Sequence, residues 1–387
     1  MAGVEGSGKL SFFLPVYYSI FYICRYTVVP VLPLLVEEWG LLHEQAGLAL
    51  SSLYTGYAIA LLLSGFLITR VGSRVAVVAG ASGSIASNLA LLLARDPSRL
   101  SLVLLANGLS QGVVWPSLMQ IVASSYPSRR ASYVVGSLLT AAILGPSLTL
   151  SLAGLVMQVC DWTLLFPLSA AMLGAATCVF LTLDVERGRG GAALSTTSLR
   201  DLRVWLLGVA YACFYALERG VLGWLPLILV EEAGLAPPAA SMVSGAIPVL
   251  SALAAFAGML VSDKLGVREA VLMSTSFTVS AALLTAATLG APIPETVTAL
   301  LVSLGFSEWF YFTLLPRTLP AEEVGAASGL IDALGYAGSS LGSWLLGLTR
   351  AVCGDYRCFP LTAIPIALAG AATSLATLRI SVKGSQR

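Results

Sequence analysis

Twelve stretches of this 387-residue chain are apolar for about the 20 residues an α-helix needs to cross a bilayer. They run roughly over 11–36, 46–68, 74–94, 100–123, 131–157, 163–183, 204–230, 240–261, 269–289, 296–317, 325–349 and 359–380. Only 11% of the residues are charged, against about 25% in soluble domains, so lipid is the natural solvent for the surface. The first stretch is too long for a signal peptide and lacks a small-residue cleavage site, so it is expected to stay in the mature protein. The pattern predicts an all-α membrane protein with twelve transmembrane helices in two pseudosymmetric six-helix bundles, surrounded by the lipid bilayer. If the N-terminus is cytoplasmic, 15 of the 21 lysines and arginines fall inside and 4 outside, and the other two, Arg25 and Arg219, lie within spans. That asymmetry predicts a multi-pass protein of the cell membrane with both termini cytoplasmic. A net charge of +1 leaves no basic face for nucleic acid.

The longest polar stretch between spans, 184–203, carries Gly188, Gly190, Gly191 and a Ser/Thr cluster, and reads as a cytoplasmic linker between bundles at 1–183 and 204–387. The bundles repeat one another. Tyr18, Phe21, Tyr22, Arg25 and Pro33-Leu34 of span one recur 193 residues later as Tyr211, Phe214, Tyr215, Glu218 and Pro226-Leu227 of span seven, and both spans run into Val-Glu-Glu. A parallel repeat of this kind is expected of two six-span halves related by an axis along the membrane normal.

After span two the chain reads Gly65-x-x-x-Thr69-Arg70-x-Gly72-x-Arg74, and after span eight Asp263-Lys264-x-Gly266-x-Arg268. This resembles the loop motif of the major facilitator superfamily, in which glycines permit a tight turn and charges latch to a neighbouring helix end. The first copy has Thr69 where that family usually has Asp; the second keeps the acid as Asp263. Arg70, Arg74, Asp263, Lys264 and Arg268 are thus the expected gating loops.

Within that superfamily, four segments resemble the organophosphate:phosphate antiporters (glycerol-3-phosphate and hexose-phosphate transporters). They are Tyr22, Arg25 and Pro33 of span one; Asn107-Gly108-x-x-Gln111-Gly112-x-x-Trp115-Pro116 of span four; Gly220-Val221-Leu222-Gly223-Trp224-x-Pro226 of span seven; and Gly325 to Gly329 with Gly335-Tyr336-x-Gly338 of span eleven. The resemblance implies a major facilitator fold and phosphate held between arginines of spans one and seven. Arg25 fits the first position. At the second stands Glu218, with Arg219 one residue off and so turned by about 100°. The family's span-five histidine falls near Ala141, so the fold and Arg25 carry over while phosphate specificity does not.

Ionisable groups inside a membrane are costly and mark functional sites. There are five here: Arg25, Glu218, Arg219, Glu308 and Asp332. Arg25 offers a planar fork for carboxylate or phosphate, with Tyr22 and Tyr18 on the same helix face; the competing reading is a structural Arg25–Glu218 bridge. Glu218 sits above Tyr215 and Tyr211 and could carry a proton or the amine of a zwitterion. Arg219 reads as a structural ion-pair member. Glu308 is either a proton carrier or the partner of Arg219. Asp332 is read as a proton carrier or a gate residue facing the basic loop after span two. Gln111 and Asn107 share a face of span four and either line the cavity or bond between helices.

The expected substrate-contact set is therefore Arg25, Tyr22, Tyr18, Gln111, Glu218, Tyr215 and Tyr211, with Glu218, Glu308 and Asp332 as proton-coupling candidates. The function expected is secondary transport of a small organic solute, an anion such as an organophosphate or carboxylate, by alternating access. Proton or inorganic phosphate would be the coupling species, and the protein would act as a monomer. A drug or cation:proton antiporter and a transporter-fold sensor are the rivals. No nucleophile–base pair or metal-ligand spacing suggests an enzyme, a metal or a cofactor.

Smaller features have plainer readings. Gly108/Gly112 and Gly338/Gly342 have the spacing of close helix packing. Gly145-Pro146 reads as a kink. Cys24, Cys178 and Cys213 read as small core residues, and of the loop cysteines Cys160, Cys353 and Cys358 the last two are the nearest pair for a disulfide. His43 reads as a surface residue. Gly3 to Lys9 imitate a phosphate-binding loop, but Leu10 follows and no strand precedes.

Overall fold

The computed structural model describes residues 2–183, 185, 200–315, 319 and 321–384. Among the described residues helices occupy all twelve predicted stretches, and ten are long and apolar enough to cross a membrane by length and composition alone. The other two are the tenth, broken after Gly305, and the eleventh, Ala321–Cys353, which is rich in Gly, Ala and Ser. The linker expected at 184–203 lies mostly outside the described residues. Gly3 to Lys9 lie in the helix Ala2–Tyr26, so they form no phosphate-binding loop.

Spans one, four, seven and ten are the interrupted ones. Span one breaks at Thr27, between Ala2–Tyr26 and Val28–Trp39, and span four at Gly112-Val113, between Pro97–Gln111 and Val114–Ser125. Span seven breaks at Glu218 and again at Gly223-Trp224, and span ten between Ile293–Gly305 and Phe310–Thr313. Proline explains three of these interruptions. Pro30, Pro116 and Pro226 cannot donate to the carbonyl four residues earlier, and the chain opens within that preceding turn. The repeat also extends to the turns. Gly72 and Gly266, the glycines of the two loop motifs, have φ of 83° and 63°, a region that a side chain would strain.

Within each half, small residues set the packing. A Cβ on Gly108 or Gly112 would collide with the backbone of span two at Leu53 and Tyr57, and one on Gly338 or Gly342 with span seven at Ala212 and Ala216. The two halves meet along two seams at the end remote from the N-terminus. In one, Gly47 of span two lies against Ser343 and Gly347 of span eleven, and the Ser340 hydroxyl bonds those of Ser51 and Thr55 at 2.6 and 2.8 Å. In the other, Ser147 of span five donates to the Gly245 carbonyl of span eight at 2.5 Å, and Ser241 to that of Leu150 at 2.7 Å. Interhelical bonds of this kind contribute about 0.6 kcal/mol each in a membrane. Towards the other end the seam between spans five and eight opens into a cavity of about 240 Å³ between Leu144 and Phe256.

Cys353 and Cys358 are joined as a disulfide across the short loop before span twelve. Of the three cysteines read as core residues only Cys24 is buried; Cys213 is half-buried and Cys178 exposed on an outward helix face. An apolar span satisfied by lipid tolerates a small thiol on either face.

Candidate functional site

Arg25 projects from the last turn before the break in span one, and only 1% of its surface remains exposed. Taking a guanidinium out of water costs several kcal/mol unless it is paired, and the surroundings are arranged around that need. Its Nε donates to Gln111 Oε1 at 2.9 Å and its Nη1 to the Tyr336 hydroxyl at 3.0 Å. The guanidinium carbon lies 4.4 Å from the Tyr22 ring centre and 4.2 Å from that of Tyr57, a sandwich of two cation–π contacts. The remaining nitrogen, Nη2, is buried without a hydrogen-bond partner.

Gln111 stands behind Arg25 rather than beside open space. Its Nε2 donates to Ser84 Oγ at 2.7 Å and to Asn107 Oδ1 at 3.1 Å, and Ser84 donates to Asn107 at 2.8 Å. Asn107 and Asn88 both donate to the Cys24 carbonyl, at 3.3 and 3.0 Å. The amide thus fixes Arg25 from spans three and four. Tyr18 packs its ring 5.2 Å from Tyr22 and 5.3 Å from Trp115.

The second half contributes a second buried arginine. Arg219 Nε lies 3.1 Å from Glu218 Oε2, and Nη2 lies 3.7 Å from Glu308 Oε1. Its guanidinium carbon is 5.5 Å from the Tyr215 ring centre, and the Tyr54 hydroxyl of span two donates to its carbonyl at 3.1 Å. Glu218 and Arg219, successive in the chain, thus place two charged side chains in one polar cluster. Tyr211 packs 4.3 Å from Tyr215, and Tyr215 lies 5.4 Å from Tyr336.

Several expectations change. Arg25 and Glu218 form no bridge: Glu218 pairs with its neighbour Arg219. Asp332 does not face the basic loop after span two. It makes no ion pair or hydrogen bond among the described residues, and its charged neighbours are Arg25 and Arg219. In that loop Arg70 lies over the Phe66 ring at 4.2 Å, and Arg74 donates to the Leu181 carbonyl at the end of span six at 2.6 Å. Lys264 lies in the last turn of the helix Pro237–Leu265 and Arg268 just before the next helix, and Asp263 makes no ion pair among the described residues. Glu308 does partner Arg219. His43 is no solitary surface residue: its Nε2 lies 2.7 Å from Glu231 Oε1.

Tyr57 and Tyr336, whose rings lie 4.0 Å apart, belong to the Arg25 shell although neither was singled out as a binding residue. Their visible signal was hydroxyl-bearing rings, Tyr54, Tyr57 and Tyr336, placed inside spans. Among the described residues no three His, Cys, Asp or Glu side chains gather to hold a metal.

Comparison with known proteins places this geometry in context. The family model described as Major Facilitator Superfamily matches residues 16–349. The chain is 24% identical over 355 residues to the hexuronate transporter of Bacillus subtilis, covering 84% of each. It is 28% identical over 118 residues to the gallate transporter of Pseudomonas putida, covering 30% of this chain and 26% of that one. Among solved structures, a bacterial homolog of the human lysosomal transporter Spinster, inward-facing and unoccupied, superposes with a TM-score of 0.74 at 14% identity, over 97% of this chain and 95% of that one.

Proposed function

The chain belongs to the Major Facilitator Superfamily, and on that premise we propose that it moves a small organic anion, a carboxylate or an organophosphate, across the cell membrane by alternating access. The observation that carries this reading is Arg25 Nη2, a buried cationic donor with no partner at the junction of the two halves. The two ring faces and two hydrogen bonds around Arg25 supply no negative charge, so an anionic oxygen is the missing complement. The relatives named for hexuronate and gallate, both carboxylates, agree with that charge. Tyr22, Tyr18, Tyr215 and Tyr211 would give the solute ring faces and hydroxyls.

Charge at the site argues for a coupled proton. Two arginines face three carboxylates, Glu218, Glu308 and Asp332, so the ionised cluster carries one net negative charge. An incoming anion would double that charge where water is scarce, and protonation of one carboxyl offsets it. Asp332 is best placed for this, because no ion pair occupies it. The closed seams between spans two and eleven and between five and eight support a cavity shut at one mouth and opened by rocking of the halves. The charge asymmetry of the loops and the Cys353–Cys358 disulfide support an external position for that mouth, with both termini cytoplasmic.

A cation:proton antiporter is the second reading, favoured by the acidic excess of the cluster. Counterflow in proteoliposomes with a hexuronate, an aromatic carboxylate, a phosphate ester and an organic cation separates the two. The anion reading expects exchange of at least one anion and its loss, roughly 100-fold or more, in Arg25→Lys, whose ammonium cannot replace a planar fork. Exchange of the cation alone, or normal anion exchange by Arg25→Lys, overturns it.

A further inference from the structure

At the mouth remote from the N-terminus, three charged groups from both halves meet. His43 opens span two in the first half, Glu231 ends span seven in the second, and Arg350 lies in the last turn of span eleven. Glu231 takes His43 Nε2 on one oxygen at 2.7 Å and Arg350 Nη2 and Nε on the other at 3.0 and 3.2 Å. The His43 and Glu231 side chains are 19% and 20% exposed, so water and protons reach them. The His43 ring lies parallel to Trp224 at 6.5 Å and edge-on to Tyr356 at 6.5 Å, and Arg350 covers Tyr356 at 5.1 Å. The groups facing His43 are therefore Glu231, Arg350, the Tyr356 phenol and the Trp224 indole, and Glu231 is the one acid among them.

The halves also approach closely at this place. A Cβ on Gly347 would meet the His43 carbonyl at 2.5 Å, and one on Gly47 would meet the Ser343 carbonyl at 3.0 Å. His43 is the only histidine in the chain.

We propose that His43, Glu231 and Arg350 form a proton-responsive latch, in which protonated His43 clamps span two onto spans seven and eleven and holds this mouth shut. The proposal rests on the alternating-access reading above. Arg350 keeps Glu231 in place within the second half; only His43 reaches it from the first half. Protonated, His43 bonds Glu231 as an ion pair; neutral, it retains at most a hydrogen bond to the carboxylate without the opposite charge, and so a weaker one. Acid on this side therefore favours the closed mouth and alkali releases it. Span seven carries the signal inwards. From Glu231 the helix Leu225–Ala233 runs back to the break at Trp224, against which His43 stacks, and one further turn, Arg219–Leu222, leads to Arg219 and Glu218 in the central cluster. Opening of the latch thus moves the segment that holds the second arginine.

The test places spin labels at Leu42→Cys and Ala233→Cys, on opposite sides of the latch, in full-length protein with Cys160 and Cys178 replaced by serine, and reads the distance distribution in nanodiscs from about pH 5 to pH 8. The latch expects one short distance in acid and a longer population that rises roughly fivefold in alkali. His43→Gln, uncharged throughout, should show the alkaline distribution at both ends of the range. A pH-independent distribution in the parent, or a pH response that survives His43→Gln, overturns the latch. Gly47→Trp, which wedges the seam directly, separates the two levels of the argument. If it lengthens the distance while pH does not, the latch falls and rocking stands. If neither acts, both fall.

Discussion

Arg25 of span one donates to the hydroxyl of Tyr336, 311 residues later in span eleven, at 3.0 Å. One buried hydrogen bond thereby ties the cation of the first half to the second, at the depth where both halves expose their aromatic faces. The first half supplies a cation with an unused donor, and the second a further arginine, the Tyr336 hydroxyl and three carboxylates.

Tyr336→Phe removes that tie and leaves both rings in place. A hydrogen bond to a charged group contributes about 1.5–3 kcal/mol, so solute affinity should fall by roughly tenfold or more while the protein still folds. Uptake kinetics check this. Because the lost bond holds Arg25 in register, KM should rise more than kcat falls; an unchanged KM would free Arg25 from the second half.

Gln111→Ala strands Arg25 Nε and breaks the chain through Ser84 and Asn107 to the Cys24 carbonyl. Losing a hydrogen-bond partner of a buried charged group costs about 1.5–3 kcal/mol. Both thermal stability and transport should fall, the former by several degrees in a detergent melt. A loss of transport with an unchanged melt would instead make Gln111 a direct solute contact.

How much of this was readable in the sequence follows from how local each feature is. The twelve spans, the 193-residue repeat and the functional weight of Arg25 were legible because hydropathy and intramembrane charge act at single positions. The interruptions of spans one, four and seven were half legible, in Pro30, Pro116 and Pro226. The partners of Arg25 were not: Tyr57 and Tyr336 reach it from spans distant in sequence, and only the close approach of Gly108 to span two and of Gly338 to span seven sets those distances. The pairing of Glu218 was misread for a different reason. Its partner Arg219 is its own chain neighbour, and the side-chain orientation that brings the two together is not fixed by helical spacing. His43 looked solitary because its partner Glu231 lies 188 residues away.

Glu231, past the end of span seven, gives a pH prediction with a definite sign. Partial burial pushes its carboxyl up, but the His43 hydrogen bond and the charges of His43 and Arg350 outweigh this and hold it below the ordinary carboxylate value of 4.5. A depressed carboxyl contributes stability above its unfolded value and loses it as pH falls through the folded one. Glu231→Gln should therefore melt below the parent from neutral pH down to about pH 5, and the difference should close at about pH 3. For a pair at the water-exposed rim the effect is at most about 1 kcal/mol. A gap that widens as pH falls from about 4 to about 3, where the carboxylate takes up its proton, would show that the carboxylate is not what stabilises this corner.

Gly145 shows a role that its sequence context did not suggest. Beside Pro146 it read as a kink, yet the helix Ser128–Val156 is continuous through both residues. What the glycine provides is room: a Cβ there would meet Cβ and Cγ of Tyr22 at 2.5 Å, closer than real contacts allow. Tyr22 is one of the two rings that sandwich Arg25, so Gly145→Ala must displace either the ring or the helix. The helix is pinned to span eight by the Ser147 bond to Gly245, so the ring is the part expected to shift. Gly145→Ala should therefore cost Arg25 one cation–π contact, about 0.5–2 kcal/mol, and raise KM by roughly three- to tenfold with little change in the melting temperature. Tyr22→Ala made on top of Gly145→Ala should add nothing further from the clash, since the ring it displaces is gone. A Gly145→Ala protein with parental KM would place Tyr22 outside the solute's path.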